Sequence, residues 1–235
     1  MKTTTDAILG GAVTLEQPAQ GHGYRVNVDS IHLARFAATS VPPGGHVTDL
    51  GAGVGAVALC LTRLAHPARL TLVELDADAA ALARRNLRHA QWDGAWDVIE
   101  SNLDDWPAGP FEVDVVVANP PYTPPQGGRK AKAAGVARAR QGDVGVFLRA
   151  AARVAKPGHT RIAFSYPSHA LVTILTAARD AGLGLRRVTF VHAKPDSPAR
   201  LALLQWTAGA GPDPVVTQPV IETAPAPLRA APPDG

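Results

Sequence analysis

The stretch Asp49-Leu50-Gly51-Ala52-Gly53-Val54-Gly55 decides the fold, because three alternating glycines join a strand pattern to a helix pattern. The apolar run His46–Leu50 that leads into it is typical of a buried strand. Apolar residues then recur at helical spacing over residues 54–65. Glycine at such a turn lets the backbone approach a ligand, and the following helix points free amides at that ligand. This glycine loop (residues 49–55) therefore predicts a ligand-binding strand–loop–helix unit.

The rest of the chain repeats the same alternation of short apolar runs and Ala/Leu-rich helical patterns, which favours a largely parallel α/β sheet. Further strands are predicted over residues 69–74, 96–100, 113–118, 160–165, 185–192 and 200–207. Further helices are predicted over residues 77–90, 144–155 and 169–181. The fold class that follows is Rossmann-like, a doubly wound α/β sheet that binds ligands at the carboxyl ends of its strands.

Three regions are expected along the chain. Residues 1–40 are predicted to form a hairpin, with strands at 12–15 and 24–28, and a helix that packs on the core. Residues 41–210 carry the strand and helix patterns of the catalytic domain. Residues 211–235 are rich in Pro and Ala without periodicity, which predicts a disordered tail.

Composition excludes several classes of protein. Of the 235 residues, 46% are hydrophobic, which is typical of a globular chain, and no apolar run is long enough to span a bilayer. The first residues lack a secretory signal and Cys60 is the sole cysteine, so a cytoplasmic location is expected. The histidines show no metal-ligand spacing, and no metal is predicted. A net charge of +3 is compatible with a phosphate-bearing partner.

The glycine loop fits two ligand classes. Gly51, Gly53 and Ala56 satisfy the dinucleotide pattern G-x-G-x-x-G/A, which is typical of dehydrogenases. Asp49 would repel a pyrophosphate, whereas it suits the cationic amino and sulfonium groups of S-adenosylmethionine. At the end of the second strand, Glu74 can accept hydrogen bonds from ribose hydroxyls of either ligand. After the third strand, Asn102 stands where an adenine edge would lie.

The chemistry is indicated by Asn119-Pro120-Pro121-Tyr122, directly after the fourth strand. An amine conjugated to a ring or carbonyl is a poor nucleophile, so a methyl acceptor of this kind needs its two N–H groups held by acceptors. The Asn119 side-chain oxygen and the Pro120 carbonyl can supply them, and the prolines stiffen the turn. Tyr122 offers a flat face for an extruded base. A dehydrogenase has no use for these four residues.

These residues together resemble the class I S-adenosylmethionine-dependent methyltransferases, in the branch that methylates amino groups. More narrowly, Gly23-Tyr24-Arg25-Val26-Asn27-Val28-Asp29-Ser30-Ile31-His32-Leu33-Ala34 is similar to the bacterial tRNA adenine-N6 methyltransferase family, which modifies the adenosine beside the anticodon of a valine tRNA. The resemblance spans roughly residues 10–208. It implies a seven-stranded sheet with a reversed last strand and N6 methylation of an adenine in RNA, with tRNA as the expected partner.

The resemblance also implies roles for single residues. Asp49, Gly51, Gly53 and Glu74 are expected to contact S-adenosylmethionine, and Asn119 and Tyr122 the target amine. Many members of the family carry Asp where this chain has Asn102, so the adenine contact there differs. The set predicted to bind substrate comprises Pro121, Arg129, Lys130 and Lys132, with Arg138 and Arg140 as further cations for RNA phosphates.

Alternatives remain open from the sequence, among them a methyl acceptor in DNA or in a small molecule. Protein glutamine N5-methyltransferases carry the same Asn-Pro-Pro-Tyr motif, although they have a longer helical domain before the glycine loop than the 48 residues that precede Asp49 here. A catalytically silent S-adenosylmethionine-binding protein is a further alternative, and the intact Asn119 and Tyr122 argue against it. Oligomeric state is not indicated by any pattern in the chain.

Overall fold

The computed structural model describes residues 2–106, 112–122 and 143–222. Within these ranges the strands are β1 (Thr3–Ile8), β2 (Val13–Pro18), β3 (His46–Leu50), β4 (Arg69–Glu74), β5 (Ala95–Glu100), β6 (Val115–Ala118), β7 (Arg161–Pro167), β8 (Leu183–His192), β9 (Ala199–Ala208), β10 (Val215–Val216) and β11 (Val220–Ile221). The α-helices there are α1 (Val28–Ala38), α2 (Ala56–Leu64), α3 (Ala77–His89), α4 (Val144–Val154) and α5 (Leu171–Asp180).

The main sheet confirms the predicted mostly parallel architecture. Its strands lie in the order β5-β4-β3-β6-β7-β9-β8, followed at the outer edge by the short strands β10 and β11. All neighbours are parallel except that β9 runs antiparallel to β7 and β8. The seven longer strands thus form the predicted sheet with a reversed last strand, and the two short strands of the described chain are additional.

Central strands are buried on both faces, which explains their continuous apolar runs. All four residues of β6 are buried between β3 and β7. One core fills the face covered by α1, α2 and α3, and the second fills the face covered by α4 and α5. In the second core, Phe164 of β7 and Trp206 of β9 meet edge to face with ring centroids 5.8 Å apart.

Helix starts follow local capping chemistry. The Asp76 side chain accepts a hydrogen bond from the Ala79 backbone N–H at 3.0 Å, which makes Asp76 the N-cap of α3. The cap of α1 is Asn27, whose side-chain oxygen accepts from the Asp29 backbone N–H at 3.1 Å. This cap fixes the start of a helix that lies beside the Asn-Pro-Pro-Tyr turn (residues 119–122).

The predicted N-terminal hairpin is correct in one strand and wrong in the other, because the predicted strand over residues 12–15 lies largely within β2 while the predicted strand over residues 24–28 does not form. The observed hairpin pairs β1 with β2, from Thr3 opposite Pro18 to Ile8 opposite Val13, and residues 24–27 form no strand. Side chains hold that segment instead, because Gln17 accepts from the Val26 backbone N–H at 2.8 Å. Strand β1 was not predicted because its sequence is mostly polar. A polar sequence is compatible with this strand, since only part of one of its faces is buried.

The predicted disorder of residues 211–235 is also wrong for residues 211–222. Strands β10 and β11 pair in parallel with β8, and the Glu222 backbone N–H donates to the His192 carbonyl at 2.8 Å. The physical reason is the outer edge of β8, whose backbone groups need partners that short Val-rich segments can supply. Residues 223–235 lie outside the described residues.

A charged network anchors this C-terminal segment (residues 215–222) to the rest of the protein. Arg200 at the start of β9 binds both carboxylate oxygens of Glu222 and reaches Asp29 of α1 at 2.6 Å. His32 of α1 also contacts Glu222, at 2.9 Å. Hydrogen bonding from Arg200 lowers the pKa of Glu222, so the carboxylate stays ionised to lower pH than usual. The guanidinium of Arg200 is thus paired with two carboxylates inside the protein.

None of the helices in the described parts of the chain combines the length and apolar character needed to cross a membrane.

We expect Glu222→Ala to lower the free energy of unfolding by about 1 kcal/mol at pH 7, a value kept small because the pair is partly exposed. Because the pKa of Glu222 in the folded protein is lower than the unfolded value of about 4.5, the stabilisation is fully present above that value. It is lost as the pH falls through the pKa of the folded protein. Urea denaturation at pH 7 and pH 3 measures both effects. Glu100→Ala, at an exposed strand end, is the matched control. Equal losses at both pH values would contradict the ion-pair account.

Candidate active site

The predicted cofactor-binding and catalytic residues lie along one edge of the sheet, because parallel strands bring their carboxyl ends together. Glu74 of β4 is paired with Glu100 of β5, and Asp49 of β3 is paired with Val117 of β6. Asn102 follows β5 and Asn119 follows β6. The carboxyl ends of these strands therefore form one row. Its order is Asn102 after β5, Glu74 at the end of β4, the glycine loop after β3 and the Asn-Pro-Pro-Tyr turn after β6.

Asp49 is a buried carboxylate at the bottom of this row. Its side chain is 1% exposed, and one of its oxygens, Oδ2, has no hydrogen-bond partner among the described residues. Burial, with a smaller contribution from the nearby negative charge of Glu74, raises the pKa of Asp49 to about 8, although a bond from the Ala58 backbone acts to lower it. A partnerless buried carboxylate oxygen favours a cationic ligand at this position.

The glycine loop needs glycine for two physical reasons. Gly51 and Gly53 have φ angles of +65° and +56°, in the left-handed region that favours glycine. A Cβ on Gly51 would also lie 2.7 Å from the ring of Phe147 in α4. The backbone N–H groups of Gly51 and Ala52 donate to the Val73 carbonyl at 2.8 and 3.1 Å, which ties the loop to β4.

Glu74 organises the loops at the end of β4. One carboxylate oxygen accepts from the Gly53 backbone N–H at 2.7 Å, and the other accepts from the Asp76 backbone N–H at 2.9 Å. Burial raises the pKa of Glu74, while these two backbone bonds oppose that rise. Each oxygen keeps a lone pair, so Glu74 can bridge the glycine loop and still accept hydroxyl protons from a ligand.

Asn102 is exposed at the end of β5, next to Glu74. The Ser101 backbone N–H donates to the Glu74 carbonyl at 3.0 Å, which fixes the neighbouring positions of the two strand ends. The Asn102 side-chain oxygen accepts from the Asp104 backbone N–H at 3.2 Å. The Asn102 amide nitrogen can donate to the acceptor nitrogen of a purine edge.

Asn119 is held from two sides. Its side-chain oxygen accepts from the Ser165 hydroxyl of β7 at 2.9 Å, and its amide nitrogen donates to the Ser30 hydroxyl of α1 at 3.4 Å. Both serines are buried. Pro120 is buried and Pro121 is half-buried, so the turn leaves the sheet with little freedom.

Tyr122 lies at the mouth of the site. Its hydroxyl is hydrogen-bonded to His169 Nε2, in the short turn Ser168–Ala170 after β7. The Tyr122 ring meets Tyr166 edge to face, with ring centroids 6.3 Å apart. These contacts fix the plane of an aromatic ring that is half-buried and able to stack a planar ligand.

Some site residues were not predicted from sequence. Ser30, Ser165 and His169 contact the Asn-Pro-Pro-Tyr turn, and Phe147 supports Gly51. No motif marks them, although Ser165 is a polar residue that interrupts an otherwise apolar strand. The predicted substrate contacts outside the described residues are Arg129, Lys130, Lys132, Arg138 and Arg140.

Comparisons with known proteins identify methyltransferase relatives. Residues 29–141 match the family model named "Methyltransferase small domain". A tRNA1(Val) (adenine(37)-N6)-methyltransferase of Phocaeicola vulgatus is 32% identical over 188 residues, which cover 77% of this chain and 76% of that protein.

Solved structures share the fold. A predicted O-methyltransferase of Agrobacterium tumefaciens superposes with a TM-score of 0.65 at 20% identity, over 86% of this chain and 91% of that one. TYW2 of M. jannaschii in complex with AdoMet superposes with a TM-score of 0.56 at 14% identity, over 87% and 84%. The chain belongs to the family of the bacterial tRNA1(Val) (adenine(37)-N6)-methyltransferases, within the S-adenosylmethionine-dependent methyltransferases.

Proposed function

We propose that this protein transfers the methyl group of S-adenosylmethionine to the exocyclic N6 amine of an adenine in tRNA. The observation that carries the proposal is the Asn-Pro-Pro-Tyr turn, which follows β6 directly beside the Asp49 glycine loop on β3. The relative from Phocaeicola vulgatus is named for methylation of adenine 37 in tRNA1(Val), which makes that nucleotide the first position to map.

The residues present fit the cofactor. The buried Asp49 oxygen that lacks a partner among the described residues suits the cationic amino group of S-adenosylmethionine. Glu74 has acceptor capacity for the ribose hydroxyls, and Asn102 has a donor for the adenine edge. When bound, the cofactor supplies an electrophilic methyl group on a positively charged sulfur.

Asn119 and Pro120 would hold the target amine. The lone pair of an adenine N6 is delocalised into the ring, so acceptors for its two N–H groups favour a more tetrahedral nitrogen. The Asn119 side-chain oxygen has a second lone pair beside the bond from Ser165, and the Pro120 carbonyl is the other acceptor. Their rigidity positions the nitrogen toward the methyl group, and the proton leaves after transfer.

Tyr122 and Pro121 would receive the base. An adenine in a folded RNA must leave its stack to reach this edge of the sheet, and an aromatic face replaces part of the lost stacking. The contacts with His169 and Tyr166 hold the Tyr122 ring in place before the base arrives. As a part of this proposal, the cationic side chains of Arg129, Lys130 and Lys132 bind phosphates of the RNA.

The proposal is tested with radiolabelled S-adenosylmethionine and, separately, unmodified total tRNA, rRNA and a protein extract. We expect label in tRNA, recovered as N6-methyladenosine, and mapping then identifies the nucleotide. Label in rRNA alone would change the target, and label in protein alone would favour glutamine methylation. No transfer to any of them, despite cofactor binding, would overturn the proposal.

Asn119→Ala is expected to reduce kcat for tRNA by about 100-fold or more, because one of two acceptors for the target amine is lost. The dissociation constant for S-adenosylmethionine should stay near that of the wild type, since Asn119 is proposed to contact the target adenine and not the cofactor. Single-turnover rates and calorimetric binding measure the two quantities. A variant that binds the cofactor tenfold more weakly would show that Asn119 acts through the cofactor site instead.

Asp49→Asn is expected to weaken S-adenosylmethionine binding by about tenfold to 100-fold at pH 7.5, because a charge-assisted contact is lost. In the wild type, with a pKa of about 8, binding of the cation requires loss of the Asp49 proton. Affinity should therefore rise by up to about tenfold per unit between pH 6 and pH 7.5, and this dependence should vanish in the variant. Calorimetric titration measures it, with the exposed Asp93→Asn as the control.

The same variant should change stability in the opposite direction. A folded pKa of about 8, above the usual 3.8, means that the folded protein binds the Asp49 proton more tightly than the unfolded chain does. The contribution of the protonated Asp49 to the free energy of unfolding is therefore fully present below pH 3.8 and is lost as the pH rises to about 8. Ligand-free Asp49→Asn should gain stability relative to the wild type between pH 5 and pH 8 in urea denaturation. A constant difference would contradict the raised pKa.

A further inference from the structure

Ser165 lies at the point where β7 passes the end of β6. Its side chain is 1% exposed, and its hydroxyl donates to the Asn119 side-chain oxygen at 2.9 Å. From this contact we infer that Ser165 is a positioning residue, which sets the orientation of the Asn119 amide for methyl transfer. The inference rests on the proposed function, in which Asn119 accepts an N–H of the target amine.

The orientation of this amide matters because its two ends are nearly equal in size and opposite in hydrogen bonding. With the oxygen toward the target, Asn119 accepts from an amine N–H. After a rotation of the amide by half a turn, its own NH₂ group would face that N–H, and two donors would oppose each other. A group that favours one orientation therefore favours the reactive arrangement.

Two hydroxyl groups bracket the amide and restrict its rotation away from the observed orientation. Ser165 donates to the oxygen, and Ser30 accepts from the nitrogen at 3.4 Å. The Ser165 bond is the shorter of the two and meets the atom that the target needs. Because a carbonyl oxygen has two lone pairs, the bond from Ser165 leaves one for the amine.

Both serines are themselves fixed in place. Ser165 belongs to a strand with neighbours on both sides, since β7 pairs with β6 and its Ser165 stands opposite Leu203 of β9. Ser30 lies in the first turn of α1, which Asn27 caps and which Arg200 holds through Asp29. The amide is thus tied to the sheet on one side and to a helix on the other.

The experiment compares Ser165→Ala and Ser165→Thr with the wild type in tRNA methylation. We expect Ser165→Ala to lower kcat by about tenfold, because the amide then samples the unreactive orientation. KM for tRNA and the dissociation constant for S-adenosylmethionine should change by less than about threefold, since neither ligand loses a direct contact. Ser165→Thr keeps the hydroxyl on a strand that tolerates a β-branched residue, so it should recover most of the kcat.

A matched control removes another buried hydroxyl without touching the Asn119 amide. Thr48 of β3 is 0% exposed, and its hydroxyl oxygen has no hydrogen-bond partner among the described residues. Thr48→Val should keep the kcat of the wild type. Ser30→Ala should lower kcat by less than Ser165→Ala, because its bond to Asn119 is longer.

The outcomes separate the inference from the function on which it rests. A wild-type protein that methylates tRNA together with a Ser165→Ala variant of unchanged kcat would overturn the inference alone. A kcat that falls together with cofactor affinity and melting temperature, and that Thr does not restore, would assign Ser165 a structural role only. A wild-type protein that transfers no label to any tRNA would overturn the proposed function and the inference with it.

Discussion

The carboxyl edge of the sheet depends on the parallel register of β3 between β4 and β6. Pairing of Leu50 with Val73, and of Asp49 with Val117, brings three strand ends to the same level. The same register lets the Val73 carbonyl bind two amides of the glycine loop. Residues far apart in sequence thereby become neighbours through the backbone pairing of the strands. A slip by one residue would turn Asp49 to the opposite face of the sheet.

Asp49 shows how function opposes stability at this edge. A buried carboxylate with a partnerless oxygen is unfavourable in the ligand-free protein, and its raised pKa expresses that cost. In the proposed function a cationic cofactor stabilises the ionised form of Asp49, so cofactor binding is linked to loss of the Asp49 proton. Glu74 reinforces the effect, because its own negative charge lies nearby while its oxygens hold the loop in shape.

The residues that hold Asn119 are connected to the C-terminal end of the described chain. The C-terminal segment (residues 215–222) carries Glu222 to Arg200, which in turn holds Asp29 at the start of α1. The same turn of α1 presents Ser30 to Asn119. A segment that adds only two short strands thus connects the far edge of the sheet with the proposed site for the target amine.

The sequence alone determined the strands and helices of the core, the glycine loop and the Asn-Pro-Pro-Tyr turn. These follow from periodicity and from residues whose chemistry acts on their immediate neighbours. The tertiary structure decided the N-terminal hairpin, the ordering of residues 211–222 and the contacts of Ser165 and His169. Each of these depends on partners distant in sequence, which local patterns cannot reveal, since the same serine is equally compatible with a solvent-facing strand position.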